Sequence, residues 1–214
     1  MEKRNKKSFV NNLILEHIKL NIKSYIVVLA IFVIGIILGM VFISNLSENQ
    51  KSEISIYVTS VIESLNNKNE IDTSALLKKS VLDNIFLTIT LWFVGSTIIG
   101  LPIVYGIIVF RGFCLGYTVS AIVAILGVSK GMIFIATTML LQNLIFIPCI
   151  LALAVSGTKL YQSITKDRRK ENIKLEVLRH TIFSGIICVL LILSSMIEVY
   201  ISTSLLGLVI DLIA

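Results

Sequence analysis

Long apolar runs alternate with short polar ones along this chain, and the runs are too long for a water-soluble core. From Asn84 to Gly157 the sequence is almost unbroken apolar. Two polar groups interrupt it. One is Phe110-Arg111-Gly112-Phe113-Cys114-Leu115-Gly116-Tyr117-Thr118, the other Gln142-Asn143-Leu144-Ile145-Phe146-Ile147-Pro148. About 20 apolar residues at 1.5 Å rise each cover a hydrocarbon layer about 30 Å thick. The pattern therefore predicts five spans, at about 25–43, 84–110, 112–128, 132–155 and 181–201. The fold class is all-α, a polytopic integral membrane protein. One transmembrane domain covers 25–214 and follows a basic segment, 1–24.

The first run is longer than the usual ~7–15 residues of a signal-peptide core and no A-x-A-like site follows it, so it reads as an uncleaved anchor. Its Gly35 and Gly39 form a GxxxG, which admits a closely packed helix. The outer loop, 44–80, is the longest polar stretch. Within it Ile54, Tyr57, Val58, Val61, Ile62 and Leu65 make one apolar stripe on an amphipathic helix. That helix either lies on the membrane surface or offers a docking face. In the second run, Gly100 and Pro102 predict a kink. A tight turn is expected at Gly112, and a further turn at Gly127 to Gly131. Gly112, Gly116, Ser120 and Ala124 recur every four residues, a small-residue stripe for helix contact. The 112–128 span is short, so a re-entrant path is the alternative to a true crossing. Residues 204–214 are too short to cross and are expected to lie at the interface or to fold back.

Composition agrees with a membrane class. The chain is 56% hydrophobic and 15% charged, against about 25% charged in an ordinary soluble domain. Its net charge of +6 is uneven. Lys3, Arg4, Lys6, Lys7, Lys19 and Lys23 stand before the first span, with Val10, Leu13, Ile14 and Ile18 at the spacing of a surface amphipathic helix. With the N-terminus inside, inner segments hold 14 of the 19 Lys and Arg. The positive-inside rule then places the N-terminus and the basic 159–179 loop in the cytoplasm.

The search for catalytic chemistry finds no HExxH, GxSxG, Walker A loop or pair of membrane aspartates. Cys114, Cys149 and Cys188 lie singly in apolar runs, and His17 and His180 are far apart, so no metal site or cofactor is expected. Nothing calls for nucleic acid. Gln142 and Asn143, in mid-span, need hydrogen-bond partners from other helices, and Pro148 loosens the helix after them. Glu198 lies near the outer end of the fifth span, with Lys130 a candidate partner.

The ordered set Ile99-Gly100-Leu101-Pro102, Arg111-Gly112…Gly116-Tyr117-Thr118-Val119, Gly131, Gln142-Asn143…Ile147-Pro148 and Ser195…Glu198…Tyr200 resembles the stage II sporulation protein M family of endospore-forming bacteria. The resemblance covers nearly the whole chain. Two positions depart from it: Leu141 and Thr203 stand where the family often carries proline. The resemblance implies a non-enzymatic scaffold in the sporulation septum and the mother-cell engulfing membrane. Its implied partners are stage II sporulation proteins D and P, which cleave septal peptidoglycan. Arg111, Gly112, Gly116, Gln142, Asn143, Pro148 and Glu198 are the candidate structural or partner residues. The glycine faces also allow self-association. The rival reading is a channel or transporter for a small solute, suggested by the mid-membrane amides and Glu198. An intramembrane enzyme is a third class.

Overall fold

The computed structural model describes residues 21–66, 73–97, 99–166 and 170–202. Its helices are α1 (Ile22–Ser44), α2 (Glu48–Asn66), α3 (Thr73–Gly95), α4 (Gly100–Leu126), α5 (Val128–Thr138), α6 (Leu140–Lys166) and α7 (Lys170–Ile197). A π-helical turn, Glu198–Ser202, closes α7. No strand occurs among the described residues. The expected amphipathic helix before residue 21 and the interfacial segment 204–214 lie outside the described residues.

Four helices are long and apolar enough to cross a membrane: Ile22–Ser44, Gly100–Leu126, Gln142–Thr165 and Ile173–Tyr200. The fold is an all-α polytopic membrane protein. A fifth helix, α3, runs beside them, but Lys78, Lys79 and Asp83 occupy its first half and only its second half is apolar. Side chains such as Phe86, Ile103, Phe110 and Val189 face outward as a lipid-compatible surface.

Contacts fix the directions of the helices. Gly35 lies against Val109 and Phe113, and Gly39 against Phe113 and Tyr117, so α1 and α4 run parallel. Asn84 meets Ser195 and Trp92 meets Thr181, so α3 runs antiparallel to α7. Gln142 meets Ser194 and Ser156 meets His180, so α6 also opposes α7. The bundle thus has a His180 end and a Glu198 end. α6 is its central helix, 61% buried over its span, against 28–33% for the other three spans.

The chain turns where the sequence reading did not expect it. Residues 84–110 and 112–128 are not two spans parted by a tight turn at Gly112. α3 stops at Gly95, and α4 runs unbroken through Arg111 and Gly112. At the end of α3 the Ser96 and Thr97 backbone N–H groups donate to the Trp92 and Val94 carbonyls, and their hydroxyls donate to the same two oxygens. Gly100 is required there, because a Cβ would strike the Val94 carbonyl. Pro102 produces no mid-helix kink, since it is the third residue of α4, where an N–H has no helical partner anyway. With α4 whole, the re-entrant alternative for 112–128 falls away. Arg111 also moves from the bundle border to mid-helix. Removing it from the positive-inside count leaves 13 of the 14 inner charges, so the sign of the bias survives.

The expected span 132–155 is likewise two helices. The turn before it is confined to Gly127, at φ 79°, a left-handed conformation natural to glycine. Lys130 and Gly131 already belong to α5. α5 has 11 residues, about 16 Å of rise, so it folds back along α4 without crossing. Its Gly131 sits against Val123. After Met139, α6 begins and carries on to Lys166, past the expected end at 155. The fifth span likewise starts within a longer helix, since α7 begins at Lys170.

Candidate functional site

The two halves of the bundle are filled differently. From mid-height towards the His180 end, Val28, Leu91, Val104, Ile108, Leu153 and Leu191 are 0–1% exposed and form a close-packed apolar core. Towards the Glu198 end the helices enclose a cavity of about 410 Å³. Four helices and the π-turn build it, α1 contributing Phe32. α3 contributes Lys79, Ser80, Asp83 and Asn84, two pairs four residues apart on one helix face. α4 contributes Arg111, Cys114, Leu115 and Thr118, an i, i+3, i+4, i+7 stripe. The first turn of α6 contributes Gln142 and Asn143, followed one turn later by Phe146. Glu198 enters from the π-turn, a wider helical turn that re-aims side chains and recurs at functional sites.

Arg111 is the feature with the largest energetic consequence. A guanidinium stays protonated, and an arginine at the centre of a spanning helix costs about 2.5–3.5 kcal/mol on insertion scales. Among the described residues no carboxylate stands within ion-pair distance of it. The contact it does make is with the Phe146 ring, whose centroid lies 5.6 Å from its guanidinium carbon. The acids of the cavity are engaged elsewhere or open: Ser80 donates its hydroxyl to Glu198, and Asp83 is exposed. At the floor, Asn84 is 5% exposed and donates to the Ser195 hydroxyl at 2.7 Å and the Leu191 carbonyl at 3.3 Å.

Of the residues singled out from sequence, Arg111, Gln142, Asn143 and Glu198 are brought together around this cavity. The amide pair is not in mid-span but in the first turn of α6. Asn143 donates to its own helix, at the Met139 carbonyl, and the tie to α7 is made by the Gln142 backbone carbonyl, which accepts from Ser194 at 3.1 Å. The partner the structure gives Glu198 is Ser80. Gly112 and Gly116 lie on a separate face of α4, against Phe32 and Ile36 of α1. Pro148 is exposed and sits inside an unbroken α6, outside the cavity lining. The α3 group was missed. Its signal was present: charged and polar residues four apart leading straight into an apolar run.

A second polar cluster lies at the other end. His180 is 2% exposed and its Nδ1 is 2.8 Å from the Ser156 hydroxyl. A Cβ on Gly95 would lie 3.2 Å from the Gly157 Cα and 3.4 Å from His180 Nε2, so the ring fits where two glycines cross. Among the described residues no group of three His, Cys, Asp or Glu is placed to hold a metal ion, and Cys114, Cys149 and Cys188 are free thiols.

These features define a multi-pass membrane protein with a polar cavity reaching from one end to mid-bundle. The family model described as stage II sporulation protein M matches residues 28–203, and the chain belongs to that family, a family of sporulation-related membrane proteins. Neither a curated protein nor a solved structure matches the chain.

Proposed function

We propose that this protein is a non-enzymatic scaffold of the sporulation septum and engulfing membrane. It anchors the peptidoglycan hydrolases called stage II sporulation proteins D and P while the forespore is engulfed. Membership of the family over residues 28–203 is the observation that carries this reading. In it the N-terminus and the His180 end are cytoplasmic, as the basic 1–24 and 159–179 segments favour. The Glu198 end then faces the wall, and α2 is the docking helix. α2 packs on the bundle only lightly, through α4. It leaves Ile56 and Tyr57 each 70% exposed, although Tyr57 belongs to its apolar stripe. These exposed apolar residues on a lightly held helix support the docking reading.

Co-purification from sporulating cells, with a tag on the N-terminus, tests this. Wild type is expected to bring down the two hydrolases. A Gly/Ser linker replacing Glu48–Asn66 is expected to lose them while the protein stays in the membrane. The substitution stops short of α3 because Lys79 and Ser80 line the cavity. Recovery unchanged by the linker removes α2 as the docking helix. Absence of both hydrolases from intact membrane complexes overturns the scaffold. The second reading, a channel or transporter, is favoured by the half-depth polar cavity. It requires solute flux through the purified protein in liposomes, altered by Glu198→Gln.

A further inference from the structure

A smaller cavity, about 190 Å³, lies at the His180 end between α6 and α7. Ser156 and Lys159 of α6 line it, with Glu176, Arg179, His180 and Phe183 of α7. Ser156 and His180 form its buried wall. Its charges do not cancel. Arg179 holds Glu176 through Nη1 at 2.9 Å, and a guanidinium has further N–H donors to offer. The Lys159 ammonium, on a half-buried side chain, has no hydrogen bond or ion pair among the described residues. The cavity also sits at a border. Lys159 is the first charged residue of α6, and α7 carries no Asp, Glu, Lys or Arg between Arg179 and Glu198. Gly95, where α3 stops, meets Gly157 and His180 at the same height. Charge begins here on both helices, at the level where headgroups meet hydrocarbon.

An apolar lane leads from this cavity along the outside of the bundle. Arg179, Phe183, Ile186 and Leu190 follow at i, i+4, i+7 and i+11, one stripe on α7. Thr181 and Ser195, through which α7 meets α3, fall on its opposite side at about 100° per residue. The stripe therefore opens towards lipid, with Ile186 54% and Leu190 38% exposed. Pro148 of α6 is exposed beside it, at a height set by Gln142 on Ser194 and Ser156 on His180. From Arg179 to Leu190 the helix rises about 16 Å, about one leaflet of a hydrocarbon layer about 30 Å thick. We infer that this groove seats an anionic phospholipid, its phosphodiester between Lys159 and Arg179 and one acyl chain along Phe183, Ile186 and Leu190. The leaflet-deep lane favours a lipid over a soluble anion. The uncompensated Lys159 favours a headgroup with net negative charge, because a zwitterionic one brings its own cation. Basic pockets between spanning helices suit such headgroups. With the His180 end cytoplasmic, as proposed above, the leaflet is the inner one; the seat itself does not depend on the hydrolases.

The full-length protein is reconstituted in vesicles of equal parts glycerol- and ethanolamine-headgroup phospholipid with matched acyl chains, extracted in mild detergent and read by native mass spectrometry. Wild type is expected to retain the anionic glycerol-headgroup lipid in preference to the ethanolamine one. Lys159→Gln is expected to cut that retention about fivefold, the effect of one basic group at a membrane surface. Glu176→Gln is expected to raise it, because Arg179 is then released to the phosphate. Lys174→Gln removes the same charge from an exposed position of α7 outside the cavity and is expected to change nothing. Excess glycerol 3-phosphate is expected to leave the lipid in place; displacement by it overturns the acyl lane and makes the cavity a site for the free anion. Retention of both lipids in their bulk ratio overturns the seat. So does an equal fall in Lys159→Gln and Lys174→Gln, which reports only a basic surface, or a fall in Glu176→Gln. Thermal unfolding of each variant separates lost binding from misfolding, and the gain expected of Glu176→Gln reads the site should Lys159→Gln fail that control.

Discussion

Helix α4 carries two faces with opposite solutions to the same problem. On one, Gly112 and Gly116 remove side chains so that the backbone of α1 can come into contact. On the other, Arg111 has no ion-pair partner among the described residues and, with Cys114, Leu115 and Thr118, lines a cavity. Both faces lie inside a hydrocarbon-length helix, and Arg111 and Gly112 are consecutive residues. Without a hydrophobic drive between helices in lipid, close backbone packing supplies association. The glycine face is therefore a stability device, and the arginine face is stability forgone. The two should respond to substitution in opposite ways.

The sharpest break is Gly116→Leu. Even a Cβ there would strike the Ile36 carbonyl, and backbone cannot yield as a flexible side chain does. The expected result is loss of most of the protein from the membrane, read by immunoblot against wild type, with Gly39→Leu behaving alike because its Cβ meets the Phe113 carbonyl. Normal accumulation of both would dissolve the α1–α4 seam. Next is Gly95→Val, which crowds Gly157 and His180. It should lower the thermal unfolding midpoint in detergent by several degrees, as overpacking of about 1–3 kcal/mol does. Asn84→Leu should cost less, because interhelical hydrogen bonds in membranes average about 0.6 kcal/mol and reach about 1.7. Arg111→Gln on the other face of α4 should leave unfolding unchanged or raise its midpoint, since it removes an uncompensated intramembrane charge. A clear fall in that midpoint would mean the guanidinium holds the bundle together, and the contrast between the faces would be lost.

How much of this was legible in the sequence varies with the local signal. The first span was placed at 25–43 and α1 runs Ile22–Ser44, because a single uncharged run bounded by polar residues has only one reading. The 84–128 stretch was cut in the wrong place. Arginine is expected at membrane borders and glycine in turns, so Arg111-Gly112 drew the boundary away from Ser96-Thr97. The true signal was Gly100 with Pro102, a helix start, which was read as a kink. The small-residue stripe was half right. Each four-residue step advances about 40° round the helix, so beyond Gly116 the stripe leaves the buried line: Ser120 is only partly buried and Ala124 is exposed. GxxxG in the first span and the Gly112–Gly116 pair were each visible, but nothing local says that they meet. The cavity was least legible, because Ser80, Asp83 and Asn84 join Arg111 and Glu198 only through the tertiary arrangement.

The parallel seam between α1 and α4 also sets a schedule. Ser44 ends α1, but its packing surface is complete only once Gly116 has been made. At about 5–20 residues per second, that delay is roughly 4–15 s on the ribosome. Throughout it α1 stands in the bilayer with its Gly35–Gly39 groove open, while α3 must insert and reverse the chain before the proper filler arrives. The order of synthesis thus leaves the first helix waiting on the fourth, and a nascent neighbour's α1, with the same groove, is the competitor that α4 has to outrun.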